Sequence, residues 1–118
     1  MINAEIKKIF DELEIPFFYM QAENHNHNAY VIFSIFKEQD LGLYSSGDDA
    51  DYIKTVYYCT LNYWYKTPQD GMKYTEIKKT LKANKVMVRD IVDLPPHNGY
   101  YGKSFQLKIT RLNEQSND

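Results

Sequence analysis

DYIKTVYYCTLNYWY, residues 51–65, is the stretch of sequence that decides the fold. β-Branched and aromatic residues dominate it, and it contains no glycine or proline, which is the composition of a β-strand. At roughly 3.3 Å per residue, a strand of this length spans about 50 Å, which is longer than an average strand. We therefore expect one long strand around which the rest of the sheet is built.

The two faces of this strand differ, because alternate side chains point to opposite sides of a sheet. One face can pack on a core and carries Ile53, Thr55, Tyr57, Cys59, Leu61, Tyr63 and Tyr65. The other face mixes polar residues with large aromatics: Tyr52, Lys54, Val56, Tyr58, Thr60, Asn62 and Trp64. This pattern indicates a sheet covered by helices on one side and partly wet, or used as an interface, on the other. The alternative is a long hairpin whose outer aromatics pair across the sheet.

The segments on either side predict an α+β fold in the order α-β-β-β-α-β-β. A helix begins at residue 2 and ends before Pro16, and a second helix follows residue 67. The other strands are expected at residues 16–21, 30–37, 85–94 and 100–112, with loops or turns at 22–29, 38–50 and 95–99. We predict one domain over residues 1–112, with a mainly antiparallel sheet of about five strands and two helices on one face. Residues 113–118 form a polar tail.

The composition of the 118 residues excludes several classes of protein. A net charge of −2 and a pI near 5.9 are not the electrostatic signature of a nucleic-acid-binding protein. The single cysteine, Cys59, excludes an internal disulfide framework and fits a reducing compartment. No apolar run approaches the roughly 20 residues that span a bilayer. We expect an intracellular protein with no membrane partner.

No catalytic or metal-binding motif is present in the sequence. His25 and His27 could bind a metal weakly, but no further ligand completes the set, so a solvated hairpin tip is the preferred interpretation. Cys59 is expected on the core face, where it acts as a small apolar residue. An acidic segment that only superficially resembles a calcium loop contains Asp48, Asp49 and Asp51. We predict a protein that is not an enzyme and has no cofactor.

The order of segments resembles that of a known family. The chain runs from IPFFYMQAE to AYVIFSIFKEQDLGLYSSGDDADYIKTVYYCTLNYWYK, then to an EIKKTL helix and a closing YYGKSFQLKI strand. Over residues 2–111 it resembles the small tail-completion or tail-terminator proteins of long-tailed bacteriophages and prophages, which include tail-to-head joining proteins. The matching positions are Pro16, Tyr19, Tyr30, Val31, Phe33, Asp51, Tyr57, Asp93, Tyr100 and Tyr101.

This resemblance implies a structural role in the virion. Such proteins form a ring, usually a hexamer, at the head-proximal end of the tail tube, where the ring stops tube polymerisation. The implied partners are further copies of the same chain, the tail tube protein and the head-completion or connector protein, with DNA only as passing cargo. The implied location is the tail of the virion, and the host cytoplasm during assembly.

Two surfaces are candidates for the contacts of such a ring. The aromatic-polar face of the long strand offers Tyr52, Tyr58 and Trp64 as anchors. The predicted loop at residues 40–51 would face the tube, the connector or a channel in which acidic side chains repel DNA; its candidates are Asp40, Tyr44, Asp48, Asp49 and Asp51. The alternative function is a small inhibitor or adaptor that binds a host protein through its tyrosine-rich sheet.

Overall fold

The computed structural model describes residues 2–43 and 52–112, except for the side chains of Leu43, Tyr52 and Ile53. The elements in chain order are α1 (Ile2–Glu12), β1 (Phe17–Tyr19), β2 (Ala29–Leu43), β3 (Tyr52–Tyr65), α2 (Pro68–Gly71), α3 (Tyr74–Ala83), β4 (Val86–His97) and β5 (Tyr100–Leu112). The predicted α+β class and element order are confirmed, with the one-turn helix α2 preceding the second full helix.

The five strands form one sheet in the order β1-β2-β3-β5-β4. β3 lies in the centre, as its composition predicts, and pairs antiparallel with β2 and with β5. The sheet is mixed, because the short edge strand β1 runs parallel to β2. The sequence predicts a loop or a hairpin tip at residues 22–29. The loop is confirmed, and the hairpin tip is wrong, since two parallel strands cannot be joined by a hairpin.

The core lies between the two full helices and one face of the sheet. β3 contributes three fully buried side chains, Cys59, Leu61 and Tyr63, which lie on the face that its alternation predicts. The helices contribute buried apolar residues at helical spacing, namely Ile2, Ile6, Ile9 and Phe10 from α1 and Ile77 and Leu81 from α3. Each fully buried large apolar side chain stabilises the fold by about 1.5–3 kcal/mol.

β2 is much longer than its sequence indicates. The polar composition after residue 37 predicts a loop, but β2 continues to Leu43 beside β3 and makes a long hairpin arm. Asp40 pairs with Thr55, whose hydroxyl donates a hydrogen bond of 2.7 Å to the Asp40 carboxylate. The prediction of a loop is thus wrong for residues 38–43, because ladder pairing with β3 outweighs their low strand propensity.

The β4–β5 hairpin also differs from the prediction of a turn at residues 95–99. β4 continues through Pro95 and Pro96 to His97, and only Asn98 and Gly99 form the turn. Both turn residues have positive φ, 51° and 82°, as a two-residue turn of type I′ requires. The prolines are tolerated because β4 is an edge strand with an irregular register between Leu94 and His97.

Candidate functional site: the open face of the sheet

The face of the sheet opposite the core is the main candidate site, and we call it the open face. It is the side of β3 that bears Tyr58, Thr60, Asn62 and Trp64. Both full helices bury their apolar residues on the other side. The one-turn helix α2 also lies there, because the Tyr63 hydroxyl donates a hydrogen bond of 2.5 Å to the Asp70 carbonyl. None of the helices that the structure describes covers the open face.

Trp64 lies at one end of the open face, and its indole packs closely on the backbone of β5. A Cβ atom placed on Gly102, its cross-strand neighbour, would lie 2.6 Å from the indole ring and 3.1 Å from Leu94. The ring of His97 lies 6.3 Å from the Trp64 ring. Trp64 therefore helps to pack β3 on β5 and also forms part of the open face.

A cluster of aromatic and histidine rings lies beside Trp64. The Tyr30 ring meets His25 at 4.3 Å and Tyr100 at 5.2 Å, both edge-on, while Phe18 stacks on His25 at 5.2 Å. The Tyr100 hydroxyl donates a hydrogen bond of 2.7 Å to the His27 carbonyl and so fixes the β1–β2 crossover on the sheet. The segment of His25 and His27, which the sequence predicts to be a solvated hairpin tip, therefore packs on the sheet.

The two histidines of the crossover stack on each other, with ring centroids 5.1 Å apart. Nδ1 of His25 accepts a hydrogen bond of 3.1 Å from the backbone N–H of His27. Burial, and then the positive charges of His27 and Lys66, lower the pKa of His25 below its usual value. The stacked arrangement thus favours a neutral His25.

Uncharged polar side chains occupy the middle of the open face. The Gln106 amide donates a hydrogen bond of 3.0 Å to the Ser104 hydroxyl and accepts one of 3.4 Å from Thr60. The side-chain oxygen of Asn62 is buried and has no hydrogen-bond partner among the described residues. This band separates the aromatic end of the face from a charged end.

Cations gather around Tyr58 at that charged end. Lys37 Nζ lies 5.2 Å and the Arg89 guanidinium carbon 5.8 Å from the centre of the Tyr58 ring, within the range of cation–π attraction. Lys108 is the cross-strand neighbour of Tyr58 on β5. We call these four residues, Lys37, Tyr58, Arg89 and Lys108, the Tyr58 patch.

Four large apolar side chains on the open face are more than half exposed. They are Phe36 at 61%, Met87 at 56%, Val92 at 52% and Leu112 at 76%. Phe36 occupies the bulge of β2, 6.4 Å from the Tyr58 ring. The two β4 residues are cross-strand neighbours of Lys108 and Ser104, and Leu112 is the cross-strand neighbour of Lys54. Scattered exposed apolar residues are ordinary, but four on one sheet face that none of the described helices covers are typical of an interaction surface.

The structure brings together only part of the predicted site. Tyr58 and Trp64 share the open face, although they lie at opposite ends of it; Tyr52 belongs to the same strand. Asp40 lies in β2 and not in a loop. Tyr44, Asp48, Asp49 and Asp51 lie outside the described residues. Sequence reasoning missed Lys37, Arg89 and Lys108, whose proximity depends on pairing between four strands.

A cleft lies on the helix side of the sheet. Its volume is about 480 Å³, and Glu5, Asn84, Lys85 and Arg111 line it. The Arg111 guanidinium is already committed there, because it donates hydrogen bonds to the Glu5 carboxylate and to backbone carbonyls of Asn84 and Lys85. The cleft therefore has a structural clamp, built by Arg111, at its wall.

The environment of Cys59 disfavours a reactive thiol. Cys59 is buried, and burial raises the pKa of its thiol to about 12, which opposes formation of a nucleophilic thiolate. No three His, Cys, Asp or Glu side chains of residues 2–43 and 52–112 converge as metal ligands do. None of the helices described is long and apolar enough to cross a membrane.

No protein-family model matches the chain, and no curated protein sequence matches it significantly.

Proposed function

We propose that this protein is a tail terminator of a long-tailed bacteriophage or prophage, which forms a ring at the head-proximal end of the tail tube. The resemblance of residues 2–111 to that family supports the proposal. The observation that carries it is the open face, because a ring subunit needs an uncovered surface for its neighbour. In this role the protein stops growth of the tube and presents a surface to the head-completion protein.

The open face supports a contact between subunits on physical grounds. Its central strand carries Tyr58. The exposed Phe36 lies beside this ring, and the exposed Met87 lies two strands away, beyond Lys108. Aromatic, methionine and arginine side chains are enriched in protein interfaces. Burying exposed apolar area contributes roughly 25 cal/mol per Å² before the costs of association. The face therefore has the composition of a subunit contact.

The first experiment measures the native mass of the whole protein over a wide range of concentration, with electron microscopy of the largest species. We expect closed rings of about six copies, alone or on tail tubes. Addition of the protein to polymerising tail tube protein should stop elongation. Tubes that grow equally long with and without the protein would refute the proposed function.

A matched pair of variants tests the role of the open face. Met87→Lys places a charge on that face, whereas Met72→Lys makes the same change at a methionine that is 73% exposed and lies just after α2. We expect the first variant to lose ring formation and the second to keep it. Both side chains are exposed, so both variants should fold. Loss of assembly in both variants, or in neither, contradicts the role of this face.

Trp64 is a poor choice for such a test. Its indole fills the space above Gly102, so truncation would disturb the packing of β3 on β5 as well as the surface. Tyr58→Phe, which keeps the ring, and Tyr58→Ala, which removes it, form the better pair. We expect weaker assembly in the alanine variant alone.

A further inference from the structure

The hairpin arm of β2 and β3 separates charge between its two sides. The bulge at Phe36 shifts the register of β2, so that Lys37 pairs with Tyr58 and lies on the open face. Glu38 and Asp40 pair with Tyr57 and Thr55, so their side chains lie on the opposite side of the sheet, which faces the helices. One end of the sheet thus has a basic side and an acidic side.

The basic side is the Tyr58 patch. Its three cations, Lys37, Arg89 and Lys108, form no ion pair with any residue that the structure describes. Among the described residues, Asp90, next to Arg89, is the nearby carboxylate on this face, so the described side chains of the patch carry a net positive charge. This local charge is opposite to the net charge of −2 that the chain carries.

The acidic side is carried by two exposed carboxylates. Glu38 has no ion-pair partner within the described residues, and Asp40 accepts the hydrogen bond from Thr55. Burial, and then the negative charges of Glu38, Asp40 and Glu5, raise the pKa of the Tyr57 hydroxyl, which lies among them. Glu38 and Asp40 therefore both contribute to the negative charge around the Tyr57 hydroxyl.

We propose that these two sides bind each other between copies of the chain. The Tyr58 patch of one subunit docks on Glu38 and Asp40 of the next, with Phe36 and Met87 as the apolar part of the contact. Complementary charge orients two such surfaces, and like charges exclude the reverse arrangement. Because the two surfaces are different, the contact is heterologous and generates a ring when the rotation closes.

This inference deepens the proposed function. It rests on that function only for the closure of the contacts into a ring. It also predicts a specific dependence on salt. The charges are exposed, and the Debye length falls from about 10 Å at 0.1 M salt to about 3 Å at 1 M. Association of the wild-type protein should therefore weaken as salt is raised, whereas an association driven by apolar contact alone would not weaken.

Charge reversal tests the contact on the whole protein by sedimentation velocity. We expect the basic-side variant Lys37→Glu with Arg89→Glu to raise the dissociation constant for self-association at least about tenfold. The acidic-side variant Glu38→Lys with Asp40→Lys should do the same. Lys79→Glu with Lys82→Glu on α3 is the control, because it makes the same change of charge on another exposed surface, and it should associate like the wild type.

An equimolar mixture of the two reversed variants gives the decisive result. When the two variants alternate, every contact again joins opposite charges. The reversed basic side of one variant faces the reversed acidic side of the other, and the unchanged basic side of the second faces the unchanged acidic side of the first. We expect association to return to within a few-fold of the wild type. A mixture that stays dissociated overturns the inference, as does a wild-type protein that remains monomeric at about 1 mM.

The inference and the proposed function can fail separately. A protein that associates in this way, but never stops growth of the tail tube, retains the inference and loses the function. A protein whose reversed variants still form rings on tubes retains the function and loses the inference. Circular dichroism of each variant confirms that the fold is intact.

Discussion

Arg111 near the end of β5 and Glu5 in α1 are joined by a hydrogen bond of 3.1 Å, although 106 positions separate them in the chain. The same guanidinium donates to backbone carbonyls at the end of α3. One side chain therefore connects the last strand with the first helix and with the turn that enters β4.

We predict that Arg111→Gln lowers the free energy of unfolding by about 1 kcal/mol, because several charge-assisted hydrogen bonds are lost together. Lys7→Gln is the control. It breaks the ion pair with Asp11, whose two side chains are 57% and 60% exposed, against 27% for Arg111, and exposed pairs contribute little. Urea denaturation measures both. Equal effects of the two substitutions would contradict the clamp.

The close packing of Trp64 on Gly102 predicts that Gly102→Ala is destabilising. The new methyl group would lie 2.6 Å from the indole, and overpacking of this kind costs about 1–3 kcal/mol. The loss should shrink in a Trp64→Leu background, where the indole is absent. A double-mutant cycle measured by urea denaturation gives the coupling. If Gly102→Ala costs the same in both backgrounds, the clash is not with Trp64.

The lowered pKa of His25 predicts that the folded protein is less stable in acid. Its pKa is lowered in the folded protein from a value of 6.5, so the fold favours the neutral ring. That contribution is fully present above pH 6.5 and is lost as the pH falls through the lowered pKa. We expect the free energy of unfolding to decrease below pH 6.5, and less so in His25→Asn.

Lys66 offers a direct check on the cause of that shift. The positive charge of Lys66 is among the factors that lower the pKa of His25. Lys66→Gln should therefore raise this pKa, as followed by the NMR chemical shift of the imidazole. The same substitution removes the cation that lies 5.0 Å from the centre of the Tyr100 ring. An unchanged titration of His25 would rule out the contribution of the Lys66 charge.

The raised pKa of the Tyr63 hydroxyl predicts how the stability of the fold changes at alkaline pH. Burial, and then the charges of Asp70 and Tyr65, raise the pKa of its hydroxyl above the usual value of 10.0. The stability that it contributes is present below pH 10 and is lost as the pH rises towards the raised pKa. Tyr63→Phe should lower the free energy of unfolding by about 1 kcal/mol at neutral pH, since the Asp70 carbonyl loses its donor. The stability of this variant should fall less steeply above pH 10 than that of the wild type.

Local patterns in the sequence determined much of this protein. The alternation of residues 51–65 predicts which side of β3 is buried, and Cys59, Leu61 and Tyr63 confirm it. The helical spacing of Ile6 and Phe10 likewise predicts the buried side of α1. These predictions succeed because burial of an apolar side depends on the period of a single element, which neighbouring residues in the chain reveal.

The tertiary structure alone decided what depends on pairing between distant segments. Residues 38–43 have loop composition, and they form a strand because β3 supplies a partner for their backbone. β1 runs parallel to β2, a choice that no local pattern encodes. The cations of the Tyr58 patch come from β2, β4 and β5 and meet around a residue of β3. Their proximity follows from strand order, register and two bulges, all of which are set by long-range backbone hydrogen bonds.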